Sequence, residues 1–159
     1  VVATQDWHPQ QHVSFAASHP GKEVGEVIQV NDVEQMLWPV HCVQGSKGAA
    51  FFPDLQQDAI DKVIRKGTSL HMDSYSAFFD NDHQTKTELD DFLKAQGTKS
   101  LTVCGLATDY CVKFTVLDAL QLGYQVTLLL HACRGVNLAA ADVANAIDEM
   151  RNAGASLKQ

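Results

Sequence analysis

Between residues 100 and 158, short apolar runs alternate with longer amphipathic stretches, and this alternation restricts the fold more than any other feature of the chain. "SLTVCG" and "YQVTLLL" read as buried strands, and "ASLK" as the start of another. Residues 109–122 carry Val112, Val116, Leu117 and Leu120 on one helical face and stop at Gly123. Residues 139–153 do the same with Val143, Ile147 and Met150, and stop at Gly154. Strands joined through helices run parallel, and a parallel sheet is covered on both faces. Upstream, "VVAT" and "KVIRKG" read as further strands, and residues 87–95 as a helix on Leu89, Phe92 and Leu93. Residues 9–58 are broken by Pro9, Pro20, Gly21, Pro39, Gly45, Gly48 and Pro53 and read as loop. The expectation is one α/β domain over residues 1–159: a Rossmann-like, three-layer fold with a parallel sheet between helices.

Such a fold places its ligand at the carboxyl ends of the strands. Asp6 and His8 follow the first strand, Lys66 ends the second, and Cys111 follows "LTVCG". In extended backbone, residues i and i+2 point to the same side. Asp6 and His8 should therefore converge while Trp7 points away, offering a carboxylate and an imidazole to a metal. His41 in "WPVHC" is the third candidate ligand, on a turn stiffened by Trp38 and Pro39, and His12 is a reserve. The chain has seven histidines. His19, His71 and His83 read as ordinary surface or hydrogen-bonded residues. An Asp/His/His set with open positions suits zinc, iron or manganese.

Cys111 sits where a strand passes into a helix, with Thr108 or Asp109 as the expected cap. Helix N-terminal N–H groups favour a thiolate and can hold an oxyanion. The alternative is a small buried core residue, and that is the reading for Cys42, Cys104 and Cys133, with Cys104 in mid-strand. Lys66 either stabilises a neighbouring charge or simply reaches solvent as its strand emerges. Trp7, Phe15, Trp38 and Tyr75 could hold a flat ring or only pack loops. "ELDD" at 88–91 reads as a solvated helix face.

The formal net charge is −7 and no basic run occurs, which excludes an electrostatic grip on nucleic acid or anionic membrane. The longest apolar stretch, residues 126–130, is too short to cross a bilayer. Four cysteines without a CxxC pair fit a cytoplasmic chain with free thiols.

Taken in order, "QDWHP", "HVSF", "WPVHCVQGS", "VIRKG", "DSYSAFFDN", "GLATDYCVKFTVLDALQLGY" and "CRGVN" resemble the nicotinamidases, a branch of the isochorismatase-like cysteine hydrolases. The resemblance runs over almost the whole chain. "ATDYCV" points to the wider family; "DWH" with "WPVHC" points to its metal-bearing nicotinamidases. It implies hydrolysis of nicotinamide to nicotinate and ammonia in NAD salvage, with pyrazinamide as a further substrate. It implies Cys111 as nucleophile through a thioester, Lys66 as the catalytic lysine, and the N–H groups of Ala107 and Cys111 as oxyanion hole beside a cis peptide at 106–107. It implies Asp6, His8 and His41 as ligands of a divalent metal, usually zinc, that reads the pyridine nitrogen. His12 aligns with an extra ligand of some members. Trp38, Tyr75 and Phe15 would line the ring pocket.

Two departures stand out. The chain opens where the family's second strand is expected, so the first strand and helix, with the aspartate that shuttles protons, are expected to be missing from it, leaving apolar surface uncovered. His131 stands where relatives often carry an acid. Rival readings are an amidase for another small carboxamide, a metal-binding module without turnover, and a piece that does not fold alone. The sequence leaves oligomeric state open, a homo-oligomer included.

Overall fold

The computed structural model describes residues 1–159. The elements are β1 (Val2–Asp6), β2 (Val27–Val30), β3 (Val33–Met36), β4 (Lys62–Lys66), α1 (Leu89–Ala95), β5 (Ser100–Leu106), α2 (Lys113–Gln121), β6 (Gln125–Arg134), α3 (Asp142–Asn152) and β7 (Ser156–Lys158). They group into two compact units: residues 1–74 with 79–87, and residues 75–78 with 88–159. The strands that alternate with helices pair in parallel, so the fold is α/β as the sequence implies.

In the first unit β1 and β4 pair in parallel with Asp6 opposite Lys66, so the two residues leave the sheet side by side. Period-2 alternation puts Ile64 and Lys66 on the buried face of β4 and Arg65 outside. Lys66 is only 4 % exposed, which corrects the reading that it reaches solvent. The supposed loop of residues 9–58 contains a hairpin, β2–β3, paired antiparallel. Its two-residue turn is Asn31–Asp32, both in the left-handed region at φ +49° and +65°. Asn and Asp tolerate that conformation, and two consecutive positive φ values make the kind of turn that matches strand twist.

In the second unit the sheet order is β5–β6–β7, all parallel. Ala146 and Met150 of α3, Val116 and Ala119 of α2, and Val126 and Leu128 of β6 form its core. Each large apolar side chain buried this way contributes about 1.5–3 kcal/mol. The strand β5 pairs with β6 alone, and its residues alternate between half-buried and exposed. Cys104 is exposed rather than core: it shares the exposed face of Ser100, Thr102 and Leu106, on a strand that pairs on one side only. "ELDD" also needs correction. Asp90 is buried, bonded to the Tyr124 hydroxyl (2.8 Å) and paired with Lys94 (2.7 Å).

Burial, reinforced by the Asp82 and Asp73 carboxylates and opposed by Lys66, pushes Asp80 from its ordinary 3.8 up to about 6. The folded state thus prefers Asp80 neutral. Its contribution is present below pH 3.8 and is lost as pH rises through about 6. Asp80→Asn is therefore expected to raise Tm at pH 7.5 by about 2–4 °C, and by almost nothing at pH 4. Equal shifts at both pH values would contradict this.

Candidate metal and thiol sites

The first unit gathers Asp6, His8 and His41. Backbone bonds explain how. Trp7 N–H donates to Lys66 O (3.0 Å), His8 N–H to Cys42 O (3.0 Å) and Gln44 N–H to His8 O (2.8 Å). The segment carrying His41 is thereby laid beside the end of β1. One ligand atom from each of Asp6, His8 and His41 lies within 4.8 Å of the others. Trp7 points elsewhere, under the Arg65 guanidinium at 3.9 Å.

The donor chemistry of this group fits a divalent metal. A neutral imidazole is donor at one nitrogen and acceptor at the other. His8 donates from Nδ1 to Gly67 O (2.9 Å), and His41 from Nδ1 to Pro39 O (2.8 Å). Each ring so fixed presents Nε2 as its lone-pair nitrogen. Burial pushes His8 below its ordinary value, against the Gly67 carbonyl and the Asp73 and Asp6 carboxylates, so it stays neutral at pH 7. Burial would raise the Asp6 carboxyl, but the adjoining Lys66 ammonium, with His8 and His41, outweighs it and holds the carboxyl below its ordinary range. Lys66 Nζ lies 2.6 Å from Asp6 Oδ1 and donates to Ser74 O (2.8 Å).

Gly67 closes this arrangement. It sits at φ +60°, and a Cβ there would stand 2.4 Å from His8 Cε1 and 2.6 Å from His8 Nδ1. Phe15, fully buried, sets its ring against His8 (5.6 Å) and His41 (5.5 Å), and it bridges to Trp38 through the backbone.

His12 belongs to a second group, with His8 and Asp73. It stacks on His8 at 4.2 Å, and burial pushes it down to about 4. Its Nε2 faces Asp73 Oδ1 at 4.0 Å, beyond hydrogen-bond range. The sequence does not single out Asp73 of "DSYS" as a candidate ligand. It is buried, and accepts from Ser74 N–H (2.8 Å) and Gln35 Nε2 (3.0 Å). Those partners are long-range or local backbone, and no spacing rule reveals them.

The second unit holds Cys111. β5 ends at Leu106, a cis peptide joins Leu106 to Ala107, and Thr108–Val112 form a π-helical turn that leads into α2. Val112 N–H donates to Ala107 O (3.0 Å), the five-residue step that defines the turn. Such turns concentrate at functional sites. Cys111 is half-buried within it. Neither Thr108 nor Asp109 caps the helix, which corrects that expectation. Tyr75 packs its ring on Phe114 (5.4 Å) and Tyr110 (5.3 Å), and its segment is tied down where Ala77 N–H donates to Thr115 Oγ1 (2.9 Å). His131 is exposed within β6.

The known proteins that share this parallel α/β fold are hydrolases. The family model of the isochorismatase domain matches residues 2–158. The nicotinamidase of Escherichia coli K12 is 54% identical over 157 residues, covering 99% of this chain and 73% of that protein. A solved nicotinamidase/pyrazinamidase of Acinetobacter baumannii superposes with a TM-score of 0.96 at 45% identity, over 100% of this chain and 76% of that one. The pyrazinamidase of Pyrococcus horikoshii, solved in complex with zinc, gives 0.76 at 37% identity, over 99% and 74%. The chain belongs to the isochorismatase family of hydrolases, in the branch that contains the nicotinamidases. No helix is long and apolar enough to cross a membrane.

Proposed function

We propose that residues 1–159 act as one amidohydrolase domain, in the cytoplasm, that converts nicotinamide to nicotinate and ammonia for NAD salvage and also accepts pyrazinamide. The observation that carries this reading is the Asp6–His8–His41 group, with both imidazoles fixed through Nδ1. Asp6, His8 and His41 would hold a divalent ion, zinc in the first place. When bound, such an ion supplies a Lewis-acidic anchor for a ring nitrogen. The Pyrococcus relative, solved in complex with zinc, supports zinc as the ion.

Cys111 Sγ attacks the carboxamide carbon, and the N–H groups of Ala107 and Cys111 take the charge that develops on its oxygen. The C–N bond breaks, ammonia leaves with the proton given up by the thiol, and a thioester remains. Water then adds to the thioester carbon, nicotinate departs, and sulfur regains a proton. Lys66, fixed by Asp6 and the Ser74 carbonyl, is assigned as the catalytic lysine. Trp38 and Tyr75 are assigned to the ring of the substrate, with Phe15 behind the metal ligands.

Ammonia release from nicotinamide, pyrazinamide and an aliphatic amide tests the reading. The expected kcat/KM is about 100-fold or more higher for both ring amides than for the aliphatic one. Equal rates would indicate a different small carboxamide. Metal and ligand binding without ammonia would indicate a binding module.

A further inference from the structure

We infer that Asp109 is a positioning residue for Cys111, tying the turn that carries the thiol to the segment that follows β6. The inference rests on the reading of Cys111 as the nucleophile. Asp109 lies two residues before Cys111 in the π-helical turn and is 6 % exposed. Its carboxylate leaves its own helix. Oδ1 accepts the N–H of Val136 (2.9 Å) and Oδ2 accepts the N–H of Asn137 (2.6 Å). Both oxygens are thus used, one on each of two consecutive amides, so the carboxylate is fixed in orientation as well as in place.

The far side of the contact is built to receive it. Gly135 has no room for a side chain: a Cβ would stand 2.2 Å from Val143 Cγ2 and 2.9 Å from Asp109 Oδ1. Asn137 takes φ +57°, and its own Oδ1 accepts the N–H of Val143 in the first turn of α3 (3.2 Å). Asp142 Oδ2 closes the same corner on Ala139 N–H (2.7 Å). A continuous path therefore runs from the Cys111 turn through Asp109 to Asn137 and the start of α3. This gives a role to "CRGVN", which no catalytic step uses.

Asp109→Asn keeps the size of the side chain but replaces one acceptor by a donor, so one of the two amides is left facing an N–H. The discriminating readout is the pH dependence of Cys111 alkylation by iodoacetamide, followed at the Cys111 peptide by mass spectrometry. Removing a nearby negative charge, and nothing else, would lower the midpoint of that profile. Loss of the thiol's position relative to the N–H groups of its turn would raise it. The expected result is a rise of about half a unit or more. In the ammonia assay kcat is expected to fall about tenfold or more, with KM held within about threefold. Asp109→Glu keeps the charge and both acceptors but displaces them by one methylene, and a rise is expected there too. A midpoint that stays or falls in the folded variants overturns the inference, as does failure of both variants to show a cooperative melt, which would make the contact one of folding alone. Ammonia release by the unmodified chain tests the nicotinamidase reading separately, since alkylation reports on Cys111 whether or not ammonia appears.

Discussion

Cys111→Ala is expected to lower ammonia release from nicotinamide by at least ~10⁴-fold while leaving bound metal and the thermal melt almost unchanged. The reason lies in what each part of the turn does. Burial in this stretch is carried by Thr108, Asp109 and Val112, and Cys111 itself is only half-buried. Loss of its sulfur leaves a small gap at a partly open position, which costs far less than truncating a core residue. The candidate metal ligands lie on β1 and in the loops after β1 and β3, so the substitution does not change their number. Chemistry and architecture should therefore separate. Metal content per chain and Tm report on the architecture; the rate reports on the thiol. Activity within a hundredfold of the unmodified chain would remove Cys111 as nucleophile. Of the other thiols, Cys104 is exposed on β5 and Cys133 is buried.

The parts of the fold that the sequence reveals are those governed by local period. The apolar faces of α2 and α3, their glycine stops, and the strands β5 to β7 all follow from spacing within a dozen residues. The convergence of Asp6 and His8 follows from the strand period in the same way. What local pattern misses depends on partners far along the chain. Asp90 looks solvated in "ELDD", yet it is buried because Tyr124, 34 residues later, brings its hydroxyl to the carboxylate. Lys66 looks ready to emerge, yet the alternation of β4 sets it on the face of Ile64, where Asp6 meets it. Asp109 looks like a cap, yet its partners lie 27 and 28 residues downstream. The β2–β3 hairpin is a different failure. An Asn-Asp pair stands between its short apolar runs, but strands of four residues give too little period to stand out among the prolines and glycines around them.

The second large effect is expected at the metal group. His41→Ala should reduce retained metal by an order of magnitude or more after dialysis, since it removes one of the three candidate ligands. Gly67→Ala should do nearly the same although every candidate ligand is still present. A methyl at Gly67 would lie 2.4 Å from His8 Cε1, far inside contact distance, in a backbone conformation at φ +60° that alanine resists. The ring cannot yield easily. It is stacked on His12 and set edge-on against Phe15, both fully buried. Strain at Gly67 would also disturb the carbonyl that fixes the His8 tautomer, and loss of such an outer partner typically costs about 10–100-fold in metal affinity. Zinc titration by calorimetry, with metal content measured on the same samples, distinguishes the two substitutions. His41→Ala should weaken binding by loss of a bond, and Gly67→Ala by misplacing an intact ligand. Unchanged stoichiometry and affinity in His41→Ala would remove His41 from the ligand set. Unchanged affinity in Gly67→Ala would show that His8 binds without the constraint imposed by Gly67.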